Sequence, residues 1–271
     1  MASHRLTAAW LNRVEGAGIP AIEIYCARQH FDYRDRPQIA ELGHFFRDSP
    51  VKLHSVHAPT FTDEIWGRSG PDTHINITER IKGERIRWVD EIKRALEVAE
   101  TIPFRYLIQH LGVSGQEFSE YSIDAGFTAL EELTVFARQR GVEILLENIP
   151  NGLSSGERLN LFNNMTHLNM NYAFDTGHAH LLGNLEGEFD TMKARVRSLH
   201  VHDNDGKEDQ HLFPLLDGYG AEGGTIDWAA TMKMLRSRQG QYPLMLELKE
   251  VPEMQFPLLE MNRVFDKLEA A

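Results

Sequence analysis

Apolar residues fall along this chain in two alternating rhythms. Short runs rich in β-branched and aliphatic residues, bounded by turn-forming residues, recur at 21–26 (AIEIYC), 51–58 (VKLHSVHA), 104–111 (FRYLIQHL), 142–148 (VEILLEN), 171–177 (NYAFDTG), 196–203 (VRSLHVHD) and 243–249 (PLMLELK). Each reads as a β-strand. Between them, apolar positions repeat at three and four. The repeat is clearest over 79–100, through Ile86, Val89, Ile92, Leu96 and Ala99, and over 123–140, through Ile123, Phe127, Leu130, Leu133 and Ala137. Both segments are predicted to be amphipathic helices, the second closed by Gly141. Further helices are expected at 7–15 and near 256–268.

Strand, helix, strand repeated along a chain requires parallel pairing through right-handed crossovers, so the fold class is α/β. No GxGxxG follows the first strand and the repeat runs on to a final helix, which favours a (β/α)8 TIM barrel over an open sheet. An eighth strand has to precede the helix at 7–15, where only MASHRL stands, so the first strand is expected to be short or incomplete. No Pro/Gly/Ser-rich linker interrupts residues 1–271, which read as one barrel domain. The longest connections, 59–78, 112–121 and 204–225, each follow a strand, placing them on the C-terminal face where barrel enzymes carry their sites.

Composition narrows the function classes. With 42% hydrophobic and 25% charged residues, the chain has the make-up of a globular protein, and the expectation is a cytoplasmic one without membrane span or secretory signal. The 28 Lys and Arg against 40 Asp and Glu leave a net charge of −12, which disfavours nucleic acid as a partner. The single cysteine, Cys26, can form neither an internal disulfide nor a thiolate cluster, so any metal must be held by histidine and carboxylate.

Those residue types gather at the strand ends. His57, His110, Glu147, Asp175, His178, His202 and Glu247 all fall there, and Asp209 and His211, two apart, follow in the loop after the sixth strand. Glu147 and Glu247 terminate apolar runs, where a carboxylate must be paired or bind a metal to offset its desolvation. His200 and His202 share one face of their strand, with Leu199 and Val201 on the other. His202 is taken as the ligand, and His54, His180 and His200 as supporting or packing residues. His4, His30, His44, His74 and His167 read as surface or loop residues, and Glu131 and Glu132 as a solvated helix face. Phe61 and Trp66 are candidate lid residues.

The motifs HAP (57–59), LLENIP (145–150), FDTGHAH (174–180), HDND with DQH (202–211), GGTIDW (223–228) and LELKE (246–250) together resemble the xylose-isomerase-like TIM-barrel superfamily of sugar isomerases, epimerases and endonuclease IV-type enzymes. The resemblance spans about residues 21–250. From its isomerase and epimerase branch it implies one divalent ion on Glu147, Asp175, His202 and Glu247, with Glu147 and Glu247 exchanging protons with the substrate and His178 contacting it. From the endonuclease branch it implies further ions on His57, His110, His178, Asp209 and His211. The glycine-rich first-strand segment of the nucleases is not visible in MASHRL.

Two reactions follow from that resemblance. One is proton transfer on an open-chain sugar through an enediolate, at a centre suited to Mn, Zn, Co or Fe. The other is phosphodiester hydrolysis at a multinuclear zinc centre, and a non-catalytic metal-binding barrel is a third reading. The charge balance places the isomerase or epimerase first, with a small carbohydrate as substrate. Arg68, Lys207 and Lys249 are the few rim cations available to a phosphosugar, so an unphosphorylated one is favoured.

Overall fold

A computed structural model of the chain describes residues 4–62, 73–216, 218, 223–237 and 242–271. Seven strands form: β1 (Ala21–Tyr25), β2 (Lys52–His57), β3 (Tyr106–His110), β4 (Glu143–Glu147), β5 (Asn171–Asp175), β6 (Val196–Val201) and β7 (Leu244–Leu246). They pair in sequence order, every neighbour parallel, and curl into a nearly closed TIM barrel. Among the described residues β7 does not pair with β1 and no strand precedes the first helix. The barrel therefore has one seam, at the place where the sequence offered no eighth strand.

Helices α1 (Ala8–Gly16), α2 (Arg36–Asp48), α3 (Lys82–Glu97), α4 (Glu120–Arg138), α5 (Gly156–Met165), α6 (Thr176–Leu181), α7 (Leu185–Met192), α8 (Trp228–Arg236) and α9 (Pro257–Ala270) connect and flank the strands. Several start where the sequence supplies an oxygen to cap the first turn: Thr7, Asp35, Ser119, Ser155 and Asp227 each accept from a backbone N–H of the helix they open. In α3 the buried stripe runs through Trp88, Val89, Ile92, Ala95 and Leu96, while Ile86, expected on it, is half exposed. Trp88 occupies that stripe instead. No helix among the described residues is long and apolar enough to cross a membrane.

Strand periodicity divides the apolar residues between two cores. Leu107, Ile144, Leu146, Tyr172, Phe174, Leu199 and Val201 face outward into the large core beneath the helices. Tyr106, Ile108, Leu145 and Ala173 point inward and form a separate apolar plug inside the barrel. Two residues further along the same inward faces come His110, Glu147 and Asp175, so the plug is the floor of a polar chamber at the C-terminal rim.

Candidate metal centre

The ends of the strands deliver the chamber's side chains, and the pairing register sets their heights. His57, His110, Glu147 and Asp175 are the last residues of β2, β3, β4 and β5, and His110 lies opposite Glu147 in the ladder. Asp175 lies opposite His200, still within β6, whereas His202 has passed the strand end. Glu247 directly follows β7. Asn148 locks the rim: its side chain donates to the carbonyl of Asp175 at 2.9 Å and accepts from the Asp175 N–H at 2.8 Å. Asp175 in turn caps α6, accepting from the His178 N–H at 2.6 Å.

Three donor groups result, within each of which the candidate ligand atoms lie inside 4.8 Å of one another: His57, His110 and Glu147; Glu147, Asp175, His200 and Glu247; and His178, His202, Asp209 and His211. Glu147 belongs to two of them. Its Oε2 lies 3.0 Å from His110 Nε2 and 3.3 Å from His57 Nε2, and its Oε1 lies 2.9 Å from His200 Nδ1. Glu247 Oε2 stands 2.9 Å from the same His200 nitrogen.

Most of the imidazoles are anchored through the nitrogen that faces away from the chamber, which fixes the one that faces in. His57 Nδ1 donates to the Ala58 carbonyl (2.8 Å), His178 Nδ1 to that of Asn148 (3.0 Å) and His211 Nδ1 to that of Glu247 (2.9 Å). His200 Nε2 donates to the Glu23 carboxylate (3.2 Å), which itself accepts from Ser55 Oγ (2.5 Å). Asp175 Oδ2 and Glu247 Oε2 are buried and accept no hydrogen bond among the described residues. Anchored imidazoles converging on carboxylate oxygens with spare lone pairs are the donor chemistry that divalent ions such as zinc take, so these residues fit a metal.

The electrostatics of the metal-free chamber agree. Burial opposes the charge on His200 and His178, but the surrounding carboxylates outweigh it and hold both well above the ordinary imidazole value: Glu23, Glu147 and Glu247 for His200, and Asp175, Asp209 and Glu147 for His178. His211 rises to about 9, against burial, on the strength of Asp209 and Glu247. Desolvation favours protonation of the buried Glu147 and the partly buried Glu247, yet the imidazoles hold both below the usual carboxylate range. His110 moves down, because burial outweighs its contact with Glu147.

The residues expected from the sequence are thus gathered, with one exchange. His202 is not in the quartet with Glu147, Asp175 and Glu247; His200, set aside as a packing residue, takes that position. The two share a strand face, and the β5–β6 register puts His200 level with Asp175 and carries His202 onward to His178, Asp209 and His211. His54 approaches Ser198 Oγ at 3.4 Å and His180 pairs with Thr225 Oγ1 at 2.7 Å, both outside the donor groups. Glu23 was missed, although a carboxylate between isoleucines in a strand is the signal that singled out Glu147 and Glu247.

A cavity of about 750 Å³ opens onto the chamber, lined by Tyr25, His57, Phe61, His110, Asp209 and Glu247 among others. Phe61 packs against the ring of His74, with centroids 4.6 Å apart, and so walls the cavity. Trp66, the other expected lid residue, and Arg68 lie outside the described residues. Lys249 is the one lysine or arginine among the described lining residues, and Lys207 is exposed away from them.

A parallel barrel with ligand-type side chains at its C-terminal rim defines a class of candidate metal-dependent barrel proteins. The match can be made narrower: residues 11–263 fit the model of the xylose isomerase-like TIM barrel family, and the chain belongs to that family. An uncharacterised protein of Methanocaldococcus jannaschii is 31% identical over 143 residues, covering 48% of each chain, so the match spans about half the length of that relative. Among solved structures, a D-tagatose 3-epimerase-like protein superposes with a TM-score of 0.73 at 23% identity, covering 93% of this chain and 88% of the other. The IOLI protein with a bound zinc atom superposes with a TM-score of 0.76 at 16% identity, covering 98% and 94%. At these identities the two structures establish the shared fold.

Proposed function

We propose that this chain is a divalent-metal-dependent isomerase or epimerase of a small, uncharged carbohydrate. The observation that carries the reading is the meeting of two carboxylates from different strands, Glu147 and Glu247, on a single imidazole, His200, with Asp175 beside them. A divalent ion held by these four residues would polarise a carbonyl and an adjacent hydroxyl and so acidify the C–H between them.

The protein's own groups then divide the work. Both glutamates are ionised at neutral pH, since the imidazoles hold their pKa values low, so both are proton acceptors. Glu147 is fully buried among imidazoles, whereas the Glu247 side chain is 29% exposed on the cavity, so Glu247 is the base a substrate reaches first. His178, aimed at Asp209 at 3.2 Å, orients a substrate hydroxyl. Pro59, Phe61 and Ile75 give the cavity an apolar wall, and the scarcity of lining cations suits an uncharged ligand over a polyanion. The D-tagatose 3-epimerase-like and zinc-bound relatives support the same reading.

A second reading, phosphodiester hydrolysis at a multinuclear centre, is favoured by one observation: Glu147 serves two donor groups and a third lies alongside. The test is incubation of the metal-loaded protein with a panel of keto sugars in deuterated water. Deuterium at the carbon that loses its proton, abolished in Glu247→Gln, is the expected result. Cleavage of abasic-site DNA without sugar turnover across the panel would move the assignment to the hydrolase.

A further inference from the structure

A second polar cluster, built around Gln116, lies beside the cavity and contains none of the chamber's donor residues. The Gln116 amide makes the four hydrogen bonds that a carboxamide can make. Its Nε2 donates to Thr78 Oγ1 at 2.8 Å and to Ser122 Oγ at 3.2 Å, while its Oε1 accepts from Asn76 Nδ2 at 3.1 Å and from the Val113 N–H at 3.2 Å. Thr78 Oγ1 donates in turn to Asn76 Oδ1 at 2.8 Å, and the Gln116 carbonyl accepts from the Gly152 N–H at 2.7 Å. Thr78 and Ser122 are buried. Two glycines give the cluster room. A Cβ on Gly112, whose φ is 90°, would come within 2.9 Å of Gln116 Oε1, and one on Gly152 within 2.5 Å of the Phe118 nitrogen.

The partners of Gln116 come from separate stretches of chain. Asn76 and Thr78 belong to the connection after β2, Val113 to that after β3 and Gly152 to that after β4, while Ser122 stands in the first turn of α4. The same three connections line one side of the cavity, through His74 and Ile75, through Val113, and through Ile149 and Pro150. A further bond, from the Gly115 N–H to the Pro150 carbonyl at 3.0 Å, joins the second of them to the third. Loops of this kind are individually mobile, and one amide bonded to all three removes their independence.

We propose that Gln116 is a positioning residue for the substrate: it holds three rim connections as one wall of the cavity, against which the ligand is seated facing Glu247. The inference rests on the carbohydrate reading above and deepens it. Gln116 does not itself line the cavity and acts through Ile75, Val113 and Pro150. A wall meets the ligand before and during reaction alike, so its loss weakens binding without slowing the chemistry. The metal donors are hydrogen-bonded elsewhere and keep their places.

The test compares Gln116→Leu and Gln116→Glu with the wild type, each loaded with zinc and given the keto sugar of the panel that exchanges deuterium fastest. Gln116→Leu is expected to raise KM about tenfold, with kcat within about twofold and zinc content per chain unchanged. Gln116→Glu keeps an acceptor oxygen for Asn76 and Val113 and should recover most of the loss. In the sugar-free protein, the Val113 amide should exchange faster in Gln116→Leu, as read by NMR. An unchanged KM refutes the proposal. So does a fall in kcat or zinc content in place of the rise in KM, which would tie Gln116 to the chemistry or the metal. Should Gln116→Leu fail to fold, Thr78→Val, which removes one hydroxyl from the cluster, is expected to raise KM in the same manner, and an unaltered KM there refutes equally. A wild type that exchanges no sugar overturns the carbohydrate reading instead. The Val113 amide then decides the rest: faster exchange in Gln116→Leu supports a wall held by Gln116, and unchanged exchange refutes it.

Discussion

An imidazole presents one nitrogen to a metal as firmly as its other nitrogen is held. His200 is held by Glu23, which lies one layer below the rim and is itself held by Ser55. Glu23→Gln is therefore expected to lower zinc affinity at the quartet by about 10- to 100-fold while leaving the fold intact, measured by competition with a chromophoric chelator. Glu147→Gln acts differently, because that carboxylate belongs to two donor groups: elemental analysis should show the loss of more than one ion per chain, against one for Glu247→Gln. The candidate ligands at the strand ends were legible in the sequence because each is a metal-binding type closing an apolar run. Which of His200 and His202 joins the quartet was not legible. Both point the same way from the strand, and only the pairing of Asp175 with His200 decides their heights.

At the scale of elements, the connection after β6 has its own lock. Asp203 is buried and accepts from the backbone N–H groups of Asn204, Thr225 and Ile226 and from Trp228 Nε1, the last at 2.6 Å. A Cβ on Gly224 would come within 2.5 Å of this carboxylate, which gives the GGTIDW motif a physical meaning: glycine for clearance, two backbone donors, and an indole donor at the start of α8. Asp203→Ala leaves the N–H groups of Asn204 and Ile226 and the Trp228 indole without this buried acceptor. It should cost about 1–3 kcal/mol in thermal or urea unfolding and speed proteolysis of the connection after β6. The strands and longer helices were readable because period-two and period-three-to-four patterns are local. The lock was not, because it joins residues some twenty positions apart.

For the molecule as a whole, acidity and metal act against each other. In the metal-free protein His211 titrates near 9, above its unfolded value of about 6.5. Its stabilising contribution is therefore complete below pH 6.5 and is lost as pH rises through 9. Zinc requires the imidazoles uncharged, so its affinity grows over the same interval. Melting of the chelator-treated protein should fall from pH 6.5 to 9 while the gain conferred by zinc widens; parallel profiles would place the ions away from His211. The seam between β7 and β1 has a consequence of another kind. β4 is clamped by neighbours on both sides and seated on the interior plug, whereas β7 spans three residues and pairs only with β6 among the described strands. Opening at the seam needs the fewest ladder bonds broken, so amide protons of β7 and β1 should exchange with solvent first and those of β4 last. A ring closed all the way round would impose no such order.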